Sequence, residues 1–193
     1  MSWFGALELP IKLCKSLVLQ HTSEGPPNGG EPFKAREIKA PAKLLSEGRL
    51  FPRHIGRTVG GLNSKLHAVC DEKGRPVARM LSEGQMSDHK GAALMIDELP
   101  PAKQLLGDKG YDSDEFRNAL IKRGILPCIP HRSNRKTKHN YDRELYKKRH
   151  KIENMFGKLK DWRRIHTRYD RCAHTFFSSI CIAATVLFWI PNQ

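Results

Sequence analysis

The sequence predicts an α/β layer structure, a mixed sheet flanked by helices. Three observations carry this expectation. Two alternating β segments lie either side of a short turn. Two further short apolar runs each follow a helical segment. Two longer helical segments then close the chain. The order is hairpin, helix, strand, helix, strand, long helix, final helix, and such mixed order places helices over the faces of a mixed sheet.

The hairpin comes first. Residues Asn63–Asp71, "NSKLHAVCD", put Leu66, Ala68 and Cys70 on one face. "EKG" makes the turn, with Asp71 as a turn residue, and Pro76–Ser82 forms the returning strand. Ser87 or Asp88 caps a helix over "DHKGAALMIDEL", with Ala92, Leu94, Met95 and Leu99 as its apolar positions. Pro100–Pro101 ends it. "KQLLGD" is a short strand that stops at Asp108. A helix over "DSDEFRNALIKRG" follows, capped by Ser113 and stopped by Gly124. Asp88, Asp112 and Asp114 are expected as caps or first-turn acids near positive helix ends. "ILPCIP" is the next strand and "HRSNRKTKHN" a basic loop. One long helix is predicted over 142–162 and the last over 172–189.

Residues 1–60 differ from the rest. They hold 6 of the 12 prolines and no aspartate. "SEGPPNGGEPFKAREIKAPAK" is rich in turn formers and sustains neither period, so irregular structure is expected there.

A length of 193 residues suits one domain with extensions. Net charge is +14, and a balance of that kind bears on partners rather than on fold. Nucleic acid is the first partner to consider and an anionic membrane surface the second. Residues 131–171 carry 15 Lys and Arg against 5 Asp and Glu, interleaved with Tyr141, Tyr146, Trp162 and Tyr169. Concentration of that kind favours nucleic acid over a merely solvated face. The five cysteines are scattered and form no C-x-x-C pair, which argues against a disulfide framework or a zinc site and fits a reducing compartment. The apolar run Phe176–Ile190 has 15 residues, short of the roughly 20 a bilayer span needs. It is expected as a core helix.

Within the long helix, "YKKRHKIENMFGKLKDWRR" separates into two faces. With Glu153 as origin, Tyr146 falls at about +20°, Arg149 at about −40° and Lys160 at about −20°. Ile152, Met155, Phe156 and Leu159 occupy the adjacent arc, wide enough to seat the helix on a core. An ordinary Arg149–Glu153 surface pair explains the first stripe in isolation. Set beside Asp108 at a strand end, the stripe has a second explanation. Two carboxylates from different elements suit Mg²⁺ or Mn²⁺, and the surrounding cations suit a DNA backbone. Trp162, Arg163 and Arg164 continue this helix, either as phosphate contacts or as a packed Trp with solvated arginines.

Three stretches resemble a known family. They are "IGRTVGGLNSKLHAVCDEKGRPVARMLSEGQMSDHKGA", "LLGDKGYDSDEFRNALIKRGILPCIPHR" and "YDRELYKKRHKIENMFGKLKDWRRIHTRYDRCAHTFF". The chain resembles DDE-type transposases of bacterial insertion sequences, in the group around insertion sequence five. Tyrosine, arginine, glutamate and lysine recur with the family's third-acid spacing at Tyr146, Arg149, Glu153 and Lys160, and "GDKGYDS" resembles its second-acid block at Asp108. The resemblance implies a ribonuclease-H-like fold. The first acid lies on the first strand, the second ends the fourth, and the third sits on the helix after the fifth. It further implies Mg²⁺- or Mn²⁺-dependent DNA cleavage and strand transfer. Asp108 and Glu153 would be catalytic metal ligands, and Tyr146, Arg149 and Lys160 would lie against DNA, with Arg163 and Arg164 as candidate contacts from their own place on the helix. The implied partners are terminal inverted repeats, target DNA and further copies, in the cytoplasm at the nucleoid and without a membrane.

Residues 55–190 correspond to the catalytic domain. Residues 1–54 do not match: no aspartate is present, and Glu24, Glu31, Glu37 and Glu47 sit in nothing like the first-strand motif. They are expected to stem from a shifted reading frame or to start after a lost half, so that an upstream-frame polypeptide becomes a possible partner. The first strand is then missing or non-native, the domain is truncated, and the chain is inactive alone. The alternative is a non-catalytic DNA-binding remnant or regulator of the full enzyme.

Overall fold

A computed structural model describes residues 11–13, 17–21 and 53–190, the first two segments by their backbone. In chain order the strands are β1 (Ile11–Leu13), β2 (Leu17–His21), β3 (Gly56–Thr58), β4 (Gly61–Cys70), β5 (Pro76–Glu83), β6 (Gln104–Leu106), β7 (Leu126–Cys128) and β8 (Thr167–Arg168). The helices are α1 (Asp88–Met95), α2 (Asp114–Lys122), α3 (Arg143–Lys147), α4 (His150–Lys160), α5 (Arg163–His166) and α6 (Ala173–Phe188).

The predicted hairpin is β4–β5, in register from Ser64 opposite Glu83 to Val69 opposite Ala78. Its turn is built as the sequence suggests. One Asp71 carboxylate oxygen accepts from the backbone N–H of Lys73 and of Arg75, both at 2.9 Å. Gly74 supplies the positive φ, +82°, that a side chain would resist. β4 then continues the sheet on its other side, antiparallel to β1 and β2. β1 pairs parallel with β6, β6 parallel with β7, and β2 parallel with β8.

Counting β1 as the first strand, β4 and β5 are the second and third, and β6 and β7 the fourth and fifth. This is the ribonuclease-H-like arrangement. The first strand, expected to be missing or non-native, is present as backbone between β4 and β6. It comes from within residues 1–54, and it reads Ile-Lys-Leu with no carboxylate.

Two apolar clusters cover the faces of the sheet. One gathers Leu66, Ala68 and Cys70 of β4 with Ile152, Met155, Phe156 and Leu159 of α4 and Phe176, Ile180 and Ala183 of α6. The other gathers Val69 with Ala92 and Met95 of α1, Leu105 of β6, and Phe116 and Leu120 of α2. Leu66, Ala68 and Cys70 share one face as predicted, and Val69 shows that the opposite face is buried too. A strand so enclosed is apolar on both sides at its centre. The run Phe176–Ile190 becomes α6, one side of which packs on the sheet. Among the described residues no helix is long and apolar enough to cross a membrane.

The single long helix predicted over 142–162 is instead three. Asp142 caps α3 by accepting from the Leu145 N–H at 2.9 Å. At its end the bonding tightens. Lys148 N–H donates to Leu145 C=O and Arg149 N–H to Tyr146 C=O, a three-residue spacing rather than four. At the far end Trp162 takes an extended backbone, φ −79° and ψ 108°, and starts α5 on a new axis. Arg163 and Arg164 therefore do not continue α4. The period of the apolar residues misses both breaks because Ile152–Leu159 seats only the middle segment.

Candidate active site and nucleic-acid interface

The predicted site residues converge in part. β6 ends at Leu106, and Asp108 follows Gly107, so its carboxyl stands at the mouth of the parallel β1–β6–β7 segment. One Asp108 oxygen accepts from the Lys109 N–H at 2.9 Å, capping the 3-10 turn Lys109–Tyr111. Glu153 lies in the first turn of α4, half-exposed. Arg149 joins them. Its Nη2 donates to Glu153 Oε1 at 2.6 Å, and its Nη1 lies 3.9 Å from Asp108 Oδ2. That Nη1 is buried and makes no hydrogen bond among the described residues. Burial pulls the guanidinium's pKa down, but Tyr146, Glu153 and Asp108 around it outweigh burial and hold it above its usual value.

Tyr146 completes the cluster. Its ring lies 5.8 Å from the Arg149 guanidinium carbon and meets Tyr141 edge-on at 5.5 Å. Burial pushes its phenol pKa up, against the pull of Arg149. Thus Asp108, Tyr146, Arg149 and Glu153 form one constellation from the end of β6, α3 and the start of α4. Lys160, the last residue of α4, and Arg163, on α5, are exposed outside it. Arg164 is held by Asp170 through a two-point ion pair, Nε to Oδ2 at 3.1 Å and Nη2 to Oδ1 at 2.8 Å. This pairing raises its pKa.

One predicted role needs correction. Asp112 stands at no helix N-terminus: its backbone closes the C-terminal end of the 3-10 turn Lys109–Tyr111. Its side chain is wholly buried and gathers three donors: Arg117 Nε at 2.9 Å, Arg135 Nη1 at 2.8 Å and the Arg132 N–H at 2.9 Å. Burial raises a carboxyl pKa, but these bonds together bring that of Asp112 below the ordinary value. Ser113 is the cap, accepting from the Phe116 N–H at 3.2 Å. Asp88 and Asp114 are first-turn acids as expected. Arg168 was also missed. It is fully buried, donates to the carbonyls of Arg53, His54, Asp170 and Arg171 and to the Ser64 hydroxyl, and lies 4.8 Å over the Phe176 ring. No local pattern announces either group, because several of their partners lie far away in sequence: Arg53, His54 and Ser64 for Arg168, and Arg132 and Arg135 for Asp112.

Whether these residues fit a divalent cation turns on the donor set. Carboxylate oxygens are the right kind. Among the described residues only two are supplied, however, and a guanidinium stands between them. Among the described residues no group of three or more His, Cys, Asp or Glu converges. Backbone register sets Lys12 of β1 opposite Leu106, so this part of the first strand brings no acid. The residues present do not fit a complete metal site.

Element order and strand pairing together define a ribonuclease-H-like domain. The comparisons with known proteins specify it further. The family model of the transposase DDE domain matches residues 52–188, most of the chain. A protein of Burkholderia cepacia described as a transposase for insertion sequence element IS402 is 31% identical over 171 residues, covering 77% of this chain and 79% of its own length. Another, from Brucella ovis and described as a transposase for insertion sequence element IS6501, is 30% identical over 129 residues, covering 66% of this chain and 98% of its own. The chain belongs to the transposase DDE domain family of bacterial insertion sequences. Among solved structures, the simian T-cell lymphotropic virus intasome in complex with PP2A regulatory subunit B56 gamma aligns at 15% identity with a TM-score of 0.43, over 75% of this chain and 51% of that one.

Proposed function

We propose that this chain is the catalytic-domain portion of an insertion-sequence transposase, 55–190, which binds DNA but does not cut it alone. Asp108 and Glu153 are the second and third acids, and they would hold Mg²⁺ or Mn²⁺ if a first acid were supplied. The observation that carries this is Arg149, which holds Glu153 at 2.6 Å and stands 3.9 Å from Asp108. It gathers two acids from separate elements into one place, as a DDE site requires. The same observation, with Ile-Lys-Leu in the first-strand slot, supports the second reading, a non-catalytic DNA-binding remnant or regulator.

The DNA contact is electrostatic. Lys160 and Arg163 are exposed on one side of Glu153, and Tyr146 and Arg149 lie on the other. Cations so arranged lower the energy of a phosphate backbone laid along α4, at a cost in affinity as salt rises. No cleavage step is assigned, because the donor set is incomplete.

The test is a nicking assay on supercoiled DNA carrying the element's ends, with Mg²⁺ or Mn²⁺, alongside a mobility-shift assay. The expected result is a salt-sensitive shift without nicking. Nicking that disappears in both Asp108→Asn and Glu153→Gln would overturn inactivity and the remnant reading together. Absence of any shift would overturn DNA binding. A complementary polypeptide bringing an aspartate to the first strand is expected to restore cleavage, which a remnant would not gain.

A further inference from the structure

The loop after β7, residues His131–Asn140, holds four Lys and Arg and no apolar side chain. Nothing in that composition anchors a loop by burial, yet its first half is anchored by charge. Asp112, buried behind it, accepts from the Arg132 N–H and from the Arg135 guanidinium. Arg135 also pairs with Asp114. Arg132, exposed itself, donates to the carbonyls of Lys109 at 3.2 Å and Gly110 at 2.9 Å. Those carbonyls belong to the 3-10 turn that Asp108 caps. Behind the cluster, Arg117 ties Asp112 to β7 by donating to the Ile129 carbonyl at 2.7 Å. The loop is thus fastened to the very segment that carries the second acid.

The four cations divide in two. Arg132 and Arg135 are consumed by these internal partners. Lys136 and Lys138 are exposed, and neither meets an acid among the described residues. A connection needing only to span from β7 to α3 has no use for a buried carboxylate that costs desolvation. One that must hold cations at a fixed place beside the acid does.

We infer that the loop His131–Asn140 is a preorganised contact for the DNA phosphate backbone, with Lys136 and Lys138 as the phosphate ligands and Asp112 as the positioning residue that fixes them beside Asp108. The inference rests on the reading that the chain binds DNA. Preorganisation matters because a mobile loop must lose its freedom on binding, and a fastened one has already lost it.

The experiment is fluorescence anisotropy of a short labelled duplex at several salt concentrations, with thermal melting of each variant. For Lys136→Ala/Lys138→Ala the melting temperature is expected to hold. The slope of log affinity against log salt is expected to shallow by roughly two phosphate contacts, with a loss on the order of tenfold per lysine near 0.1 M salt. In an Asp112→Asn background the lysine substitutions are expected to cost much less, because the loop no longer presents them. If the wild-type chain binds and the double lysine variant keeps the same affinity and slope, this inference falls and DNA binding stands. If the wild-type chain does not bind, both fall. Full additivity of the Asp112 and lysine effects would remove the positioning role alone, and if Asp112→Asn does not fold, Arg132→Gln serves in the same cycle.

Discussion

His67 sits on β4 facing away from solvent, 3% exposed, with its Nε2 2.8 Å from the Ser82 hydroxyl. It is packed so closely that a Cβ added at Gly91 would overlap its ring. Burial, only partly offset by Asp88 and reinforced by Lys65, drops its pKa from 6.5 to about 4. The unfolded chain therefore takes up a proton that the folded chain refuses between those values. Stability is full above about pH 6.5 and declines as pH falls toward 4, by roughly 3 kcal/mol if His67 acts alone. Urea unfolding between pH 7 and pH 4.5 should show this slope, and His67→Gln should flatten it. A slope of equal size in the variant would place the effect elsewhere. That His67 lies on a β strand was legible in the alternation of "NSKLHAVC", but its burial was not, since alternation marks only one buried face. Its hydrogen-bond partner was not, since Ser82 reaches it only through hairpin register. The same distinction separates Asp71 from Asp112. The partners of Asp71 lie within four residues of it, and its turn role was readable. The partners of Asp112 come from α2 and from the loop after β7, and only packing unites them.

Helix ends followed the local chemistry closely, because caps depend on neighbours a few residues away. Ser113 starts α2, and Gly124 closes it with φ +73°. Helix interiors followed it less well: breaks at Lys148 and Trp162 flank the apolar stretch Ile152–Leu159, which by itself does not mark them. Two glycines separate backbone demand from helix propensity. Nothing lies within 4 Å of a Cβ placed on either Gly124 or Gly157, so neither substitution clashes. Gly124→Ala should destabilise by about 1 kcal/mol, because an L side chain resists positive φ. Gly157→Ala, in the exposed interior of α4, should stabilise by about 1 kcal/mol through helix propensity. Equilibrium unfolding of the two variants should shift the midpoint in opposite directions. Shifts of the same sign would mean that one of these backbones differs from the geometry described.

At the scale of the molecule, Arg168 fastens β8, on the C-terminal side of α5, to the chain entering β3. Its guanidinium reaches carbonyls at Arg53 and His54, and burial brings its pKa down to about 10, which leaves it charged at neutral pH. Arg168→Leu should cost at least about 3 kcal/mol, since several carbonyls lose their donor inside the protein. Arg168→Lys should recover little, because one ammonium cannot span them. An unchanged urea midpoint in the leucine variant would show that these bonds contribute nothing net. By itself the sequence determined the hairpin, the alternation of helix and strand, and the seating of α4 and α6. All of these depend on short-range periodicity or on motifs within a few residues. Tertiary structure alone decided which backbone fills the first-strand slot, that Arg149 stands between the two acids, that Arg164 is tied to Asp170, and that Asp112 and Arg168 are buried charges. Those outcomes depend on which distant groups meet once the layers close, and burying a charge is tolerable only where its partners already wait.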